Sequence, residues 1–296
     1  MNMKVWITAF RLRTLPLALS SIGMGGILAA SVNAFRLDIF ALCILTTVFL
    51  QILSNLANDY GDSVNGADHQ GRVGPSRAVQ SGSISREAMK RAIIIFVVLC
   101  LLSGVLLLLV SFGPNWVAVL SFFGLGMLSM MAAIAYTVGK KPYGYSGLGD
   151  FAVLIFFGLV GVLGSFYLFA QTLRWDFILP ALSCGFFSMG VLNINNIRDI
   201  ESDQKAGKYS LPVRMGRKNA ILYHWLLLST GIATTVFYSL INDHTPRKWL
   251  FLITVPLFAF NAFAVSTKEA GQLDPYLKQM ALTTLLYVVL FGVGIL

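Results

Sequence analysis

Nine stretches of this sequence are apolar for as long as a helix needs to cross a bilayer, and they follow one another with short interruptions. A spanning helix takes about 17 to 25 residues. The windows Leu15–Val32, Ile39–Ala57, Ala92–Phe112, Trp116–Val138, Phe151–Ala170, Phe177–Ile194, Ala220–Ile241, Trp249–Val265 and Met280–Leu296 reach that length. The fold class expected is all-α, a polytopic membrane bundle of about nine transmembrane helices. Residues 1–296 are expected to form a single transmembrane domain, with no room for a separate soluble one.

Composition agrees. Only 12% of residues are charged and 56% are hydrophobic, whereas a soluble domain carries about 25% charge. The net charge of +9 invites a nucleic-acid reading, which its distribution excludes. Of 22 Lys and Arg residues, 18 fall in the amino-terminal arm and in the loops on the same side. Arg36, Arg174, Arg247 and Lys248 alone fall on the other side. That is the positive-inside bias of a cytoplasmic amino terminus and an outside carboxyl terminus. Cys43, Cys100 and Cys184 lie in apolar windows and read as small hydrophobes. The first apolar run follows Arg11 and Arg13, lacks a small-residue cleavage site, and is expected to be a retained span.

Several local features shape the bundle. Pro16 suits the first turn of a helix, and Trp6 and Phe10 suit an interfacial anchor. The run Gly23-Met24-Gly25-Gly26, with no strand before it, predicts close helix packing rather than phosphate binding. Gly158, Gly161 and Gly164 predict the same for the fifth segment. His69, His224 and His244 stand apart, so a histidine metal site or catalytic triad has no support.

The chemistry concentrates in two places. From Gln51 to Ser85 the chain leaves an apolar helix, with Gln51, Asn55, Asn58, Asp59 and Asp62 spaced to share one helical face. Asp68 follows in a Gly-containing loop, and then Arg72 and Arg77. The sixth segment ends in the same way, with Asn195, Asp199, Glu201 and Asp203, then Lys208. Six of the 13 acidic residues lie in these two clusters. Both sit at the cytoplasmic ends of even-numbered helices, so they can face each other across one cavity. Carboxylates so close to hydrocarbon are expensive, and function is their default explanation.

A histidine-free set of carboxylates and amides is a hard-oxygen site suited to Mg²⁺. Magnesium commonly shares its shell with phosphate oxygens. Arg72, Arg77, Lys140 and Lys208 can hold the remaining oxygens of a diphosphate. A diphosphate at the end of an apolar bundle implies an amphiphile, and so a polyprenyl diphosphate. Tyr136 precedes Lys140 and Lys141 by about one turn. It reads either as an aromatic belt with snorkelling lysines or as a ring facing a cation. Arg11 reads either as topology or as a ligand for an anionic substrate.

The runs NDYGDSVNGAD, RVGPSRAVQSGSIS, YTVGKKPYGYSGLGD and NINNIRDIESDQKAGKYSLPVRMG together resemble the UbiA superfamily of intramembrane aromatic prenyltransferases, and within it the naphthoate branch. The match runs from the RLRTLP segment at Arg11 to near Arg217. Asp150 stands where many relatives carry Glu. The resemblance implies a nine-helix bundle with a cavity covered by cytoplasmic loops. It implies transfer of a polyprenyl group from an all-trans polyprenyl diphosphate to 1,4-dihydroxy-2-naphthoate, with loss of CO₂ and diphosphate, giving demethylmenaquinone. It implies Mg²⁺ held by Asn58, Asp59, Asp62, Asp68, Asn195, Asp199 and Asp203, and diphosphate held by Arg72, Arg77, Lys140 and Lys208. Asp59, Asp62, Asp199, Asp203 and Tyr136 are the catalytic set, with Arg11 and Asn55 towards the acceptor. The setting implied is the bilayer of a bacterial cytoplasmic (inner) membrane. Within the enzyme class, 4-hydroxybenzoate or homogentisate are the alternative acceptors. An ion-coupled carrier fits less well, because both clusters lie on one side and nine spans do not divide into equal halves.

Overall fold

The computed structural model describes residues 3–66, 74, 77–242 and 246–296. Among them, nine helical spans are long and apolar enough to cross a membrane. They are α1 (Met3–Ser31), α2 (Leu37–Asn65), α3 (Arg86–Phe112), α4 (Trp116–Ala135), α5 (Gly149–Ala170), α6 (Trp175–Arg198), α7 (Leu211–Ile241), α8 (Pro246–Thr267) and α9 (Asp274–Ile295). No strand occurs among the described residues. Each apolar window has its span, and the ends differ for physical reasons. Helix α2 runs on to Asn65, past the apolar limit at Ala57, because its polar last turns find partners in the loops. Helix α4 stops at Ala135, where the chain turns to bring Thr137 against α2.

Two departures from regular winding lie along the cavity. In α1 the helix breaks at Arg11, whose φ of 50° is left-handed. A non-glycine residue held there costs about 1 to 3 kcal/mol. The Asn55 amide offsets it by donating to the Phe10 carbonyl at 3.0 Å and to the Thr14 hydroxyl at 3.2 Å. The arm before the break lies on α2 and α3. Its Phe10 ring meets Phe96 edge-on at 5.4 Å. In α5, residues Leu154–Gly164 are wound as a π-helix, a wider turn that recurs at functional sites.

Helix α6 is the central post, packed by α5, α7 and α9. Small residues set its distance from α5. A Cβ on Gly158 would stand 2.9 Å from the Ala181 carbonyl and 3.1 Å from the Gly185 Cα. Likewise a Cβ on Gly25 would stand 2.8 Å from the Val162 carbonyl, so α1 and α5 also touch backbone to backbone. Both glycine runs pack as expected, except that Gly164 has only a Val160 side chain near it.

These contacts leave a cavity of about 510 Å³ between α1 to α6 and α9. Its wall is apolar along α3, α4 and α5, where Leu101, Leu108, Phe122 and Phe157 contribute. The other end is polar and is reached by Arg11, Asn58, Asp62, Arg77, Asn195 and Lys208.

Candidate active site

The first half of the polar end is the tip of α2. Asp62 is 2% exposed and forms an ion pair with Arg77, itself 9% exposed. It also accepts from the Tyr145 hydroxyl at 2.7 Å. Arg77 donates to the Asn58 carbonyl at 3.0 Å. Asp59 faces a different partner. Its two oxygens accept the backbone N–H groups of Ala78 (3.1 Å) and Val79 (3.2 Å). It therefore anchors the segment that carries Arg77, and it does not line the cavity. The amide oxygen of Asn58 accepts from the Thr137 hydroxyl at 3.1 Å. Asn65 donates to the Thr137 carbonyl at 2.7 Å, which ties α2 to the chain after α4.

The second half is the tip of α6 and the short helix Ile200–Lys205. Arg198, with 2% of its side chain exposed, grips both oxygens of Asp199 at 2.8 Å and also donates to Asn195 Oδ1 at 2.8 Å. That bond takes one lone pair of the Asn195 oxygen and leaves a second, and Asn195 lines the cavity. Asp203 is held by Lys208, Nζ to Oδ2, at 3.1 Å. Burial pulls the Lys208 pKa down, but Asp203 and then Asp62 pull it up further, so the ammonium is held above its ordinary value. Lys208 is thus the point where the two acidic clusters meet. Burial raises the Asp203 carboxyl; Lys208 opposes this, and the net direction is still upward.

The loop after α4 closes the site from a third side. The Tyr145 carbonyl accepts the Tyr209 N–H at 2.9 Å, and its ring lies 6.0 Å below the Lys208 ammonium. Tyr136 lines the cavity and packs edge-on against Tyr143 at 5.4 Å. Burial pushes its phenol up to about 12. A neutral ring facing an apolar cavity can stabilise a passing cation through its π face.

Among the sequence-predicted residues, Arg11, Asn55, Asn58, Asp62, Arg77, Tyr136, Asn195 and Lys208 share this one cavity. Asp59, Asp199 and Asp203 are buried directly behind its lining. Lys140 is exposed and does not line it. Asp68 and Arg72 lie outside the described residues. Sequence reasoning missed Tyr145 and the bridging role of Arg198. Both stand inside the family-like motifs, but no spacing rule distinguishes them from their neighbours.

The donor set fits a hard divalent cation. Its groups are carboxylate and amide oxygens, and Oδ2 of Asp203 is buried without a hydrogen bond, met by the Lys208 ammonium. No three His, Cys, Asp or Glu side chains form a ready-made cage among the described residues. Asp62, Asp199 and Asp203 are instead balanced by Arg77, Arg198 and Lys208, and Asp59 is bonded to backbone N–H groups.

A model of the UbiA prenyltransferase family matches residues 18–292. The chain belongs to that family. This UbiA-family chain is 43% identical over 298 residues to the 1,4-dihydroxy-2-naphthoate octaprenyltransferase of Haemophilus influenzae, covering 100% of this chain and 96% of that one. It is 45% identical over 294 residues to the protein of the same name in Escherichia coli, covering 99% and 95%. Its fold is also that of solved UbiA homologues. The apo structure from Aeropyrum pernix superposes with a TM-score of 0.66 at 16% identity, covering 96% of each chain. The Archaeoglobus fulgidus homologue bound to GPP and Mg²⁺ does so with a TM-score of 0.64 at 15% identity, covering 96% and 99%.

Proposed function

We propose that this protein transfers a polyprenyl group from an all-trans polyprenyl diphosphate to 1,4-dihydroxy-2-naphthoate, releasing diphosphate and CO₂ and giving the quinol form of demethylmenaquinone. One observation carries the choice of acceptor: 43% and 45% identity, over nearly the whole of each chain, to enzymes named for that reaction. The cavity suits the donor, with cations and amides at one end and a long apolar wall at the other.

The reaction needs the allylic C–O bond to break with its electron pair leaving on diphosphate. Arg77 and Lys208, which line the cavity, would receive that charge, with Arg72 as the further candidate from the sequence. Asn58, Asp62, Asp203 and Asn195, supported by Asp59 and Asp199 and joined by Asp68, would hold Mg²⁺. Bound there, the metal supplies Lewis-acid neutralisation of the diphosphate. Tyr136, in the cavity wall, would face the allylic carbon, and the apolar wall would exclude water from the cation. The electron-rich ring forms the new C–C bond and then loses CO₂, whose bonding electrons return to the ring. Arg11 and Asn55, which line the same cavity, would contact the naphthoate. The unit that acts is the whole of residues 1–296, and its setting is a bacterial inner membrane with the polar end facing the cytoplasm. The bacterial relatives and the 18 to 4 bias of basic residues support that placement.

The test is made on purified protein in detergent with all-trans polyprenyl diphosphate and Mg²⁺. It compares 1,4-dihydroxy-2-naphthoate with 4-hydroxybenzoate and includes an EDTA control. Prenylated product and CO₂ from the naphthoate, both lost with EDTA, are expected. Turnover of hydroxybenzoate without CO₂ would reassign the acceptor, and EDTA-resistant turnover would remove the metal.

A further inference from the structure

Asp274 opens α9 and belongs to neither acidic cluster, yet it pairs with one arginine from the amino-terminal turn and one from the tip of α6. Its Oδ2 accepts from Arg13 Nη1 at 2.7 Å, and its Oδ1 accepts from Arg198 Nη1 at 2.8 Å. Arg13 lines the cavity beside the break in α1. Arg198 is the buried cation that orients Asp199 and Asn195. One carboxylate therefore joins the amino-terminal turn, the last helix and the tip of α6.

A guanidinium has five N–H donors. Two go to Asp199, one to Asn195 and one to Asp274. The fork toward Asp199 and Asn195 leaves Nη1 facing outward, and Asp274 is what receives it. Without that acceptor, a cation with 2% of its side chain exposed would have to turn to find another partner. The turn would carry Asp199 and the Asn195 amide with it. Partners that orient ligand residues in this way commonly contribute about 10- to 100-fold in metal affinity or activity.

We infer that Asp274 is a positioning residue for the metal–diphosphate end of the site, acting through Arg198 on Asp199 and Asn195. The inference rests on the prenyl-transfer reading, but its test does not depend on turnover. Metal affinity is measured on the full-length protein in detergent, by titrating Mn²⁺ in the presence of inorganic diphosphate and following free Mn²⁺ by EPR. Asp274→Asn is expected to weaken Mn²⁺ binding about tenfold, while the protein elutes as the wild type does. Asp274→Glu, which restores the charge, recovers most of the loss. Arg13→Gln releases the arm but leaves Arg198 on Asp274, and it keeps the wild-type Mn²⁺ midpoint.

Arg198→Lys serves as the second variant, because it keeps the charge and loses the fork. It must shift the midpoint in the same direction as Asp274→Asn. A folded Asp274→Asn or Arg198→Lys protein with the wild-type midpoint overturns the inference, and so does an equal shift in Arg13→Gln. Failure of the wild type to prenylate the naphthoate, with these Mn²⁺ shifts intact, would count against the proposed reaction alone.

Discussion

The hydroxyl of Tyr145 donates to Oδ1 of Asp62 at 2.7 Å, although 83 residues separate them in the chain. The bond sets the rotation of a buried carboxylate at the polar end of the cavity, and the same ring lies under Lys208. Tyr145→Phe keeps the ring and removes the bond. It should lower kcat/KM for the prenyl donor about tenfold, in the range for a group that orients a ligand residue, and leave the thermal midpoint nearly unchanged. Steady-state kinetics beside a melting curve in detergent would check this. A large fall in the melting midpoint would make the role one of folding.

Asp62 and Arg77 are both buried, so each depends on the other for charge compensation. Removing one member of such a pair costs about 3 to 5 kcal/mol, whereas removing both costs far less. Asp62→Asn and Arg77→Gln should each melt well below the wild type, and the double variant should regain part of the difference. Strictly additive losses in this double-mutant cycle would mean that the two groups are not coupled.

Lys208 opposes the effect of burial on the Asp203 carboxyl, whose pKa is nevertheless raised. Replacing Lys208 with Met leaves burial unopposed and moves that pKa further up. The carboxylate then forms only at higher pH. The acid limb of the kcat/KM profile should therefore shift to higher pH in Lys208→Met, on top of a general loss from the missing phosphate contact. An acid limb that stays in place, or that moves down, would detach Asp203 from the limb.

Gly61 sits between Asp59 and Asp62, and a Cβ there would stand 2.6 Å from the Thr137 backbone. Overpacking of this kind costs about 1 to 3 kcal/mol. Gly61→Ala should push the Thr137 segment outward, carry Tyr136 with it, and lose most activity. A Cβ on Gly124 in α4 would have nothing within 4 Å of it, so Gly124→Ala should be neutral or slightly stabilising, by about 0.5 to 1 kcal/mol. Activity and melting of the two variants, measured side by side, separate a steric effect from a general effect of glycine replacement.

Much of the site was legible in the chain because like chemistry recurs at like places. Asn58 and Asp62 on α2, and Asn195 and Asp199 at the end of α6, stand out as polar groups where apolar helices end. Hydrocarbon tolerates such groups only when they have a use. Asp59 shows the limit of that reading. Its spacing from Asp62 places both on one face, yet only the fold shows one oxygen pair turned to the Ala78 and Val79 N–H groups and the other to Arg77. Lys140 and Lys208 are both lysines beside a motif; one is exposed and the other is buried against the Asp203 carboxylate. Asp274 had no signal at all, since a lone acid at a helix start reads as a favourable charge for the helix dipole.

The sequence by itself determined the class of molecule: nine apolar stretches, two polar helix tips, and a charge bias that sorts the loops. Those properties are periodic and local, so they survive without coordinates. Tertiary structure decided which cation compensates which carboxylate and which side chains reach the cavity. It also decided that Tyr145 and Asp274, far along the chain, bond Asp62 and Arg198 at that end of the bundle. Ion pairs and hydrogen bonds act over about 3 Å, and only the packing of α1, α2, α6 and α9 brings residues so distant in sequence within that distance.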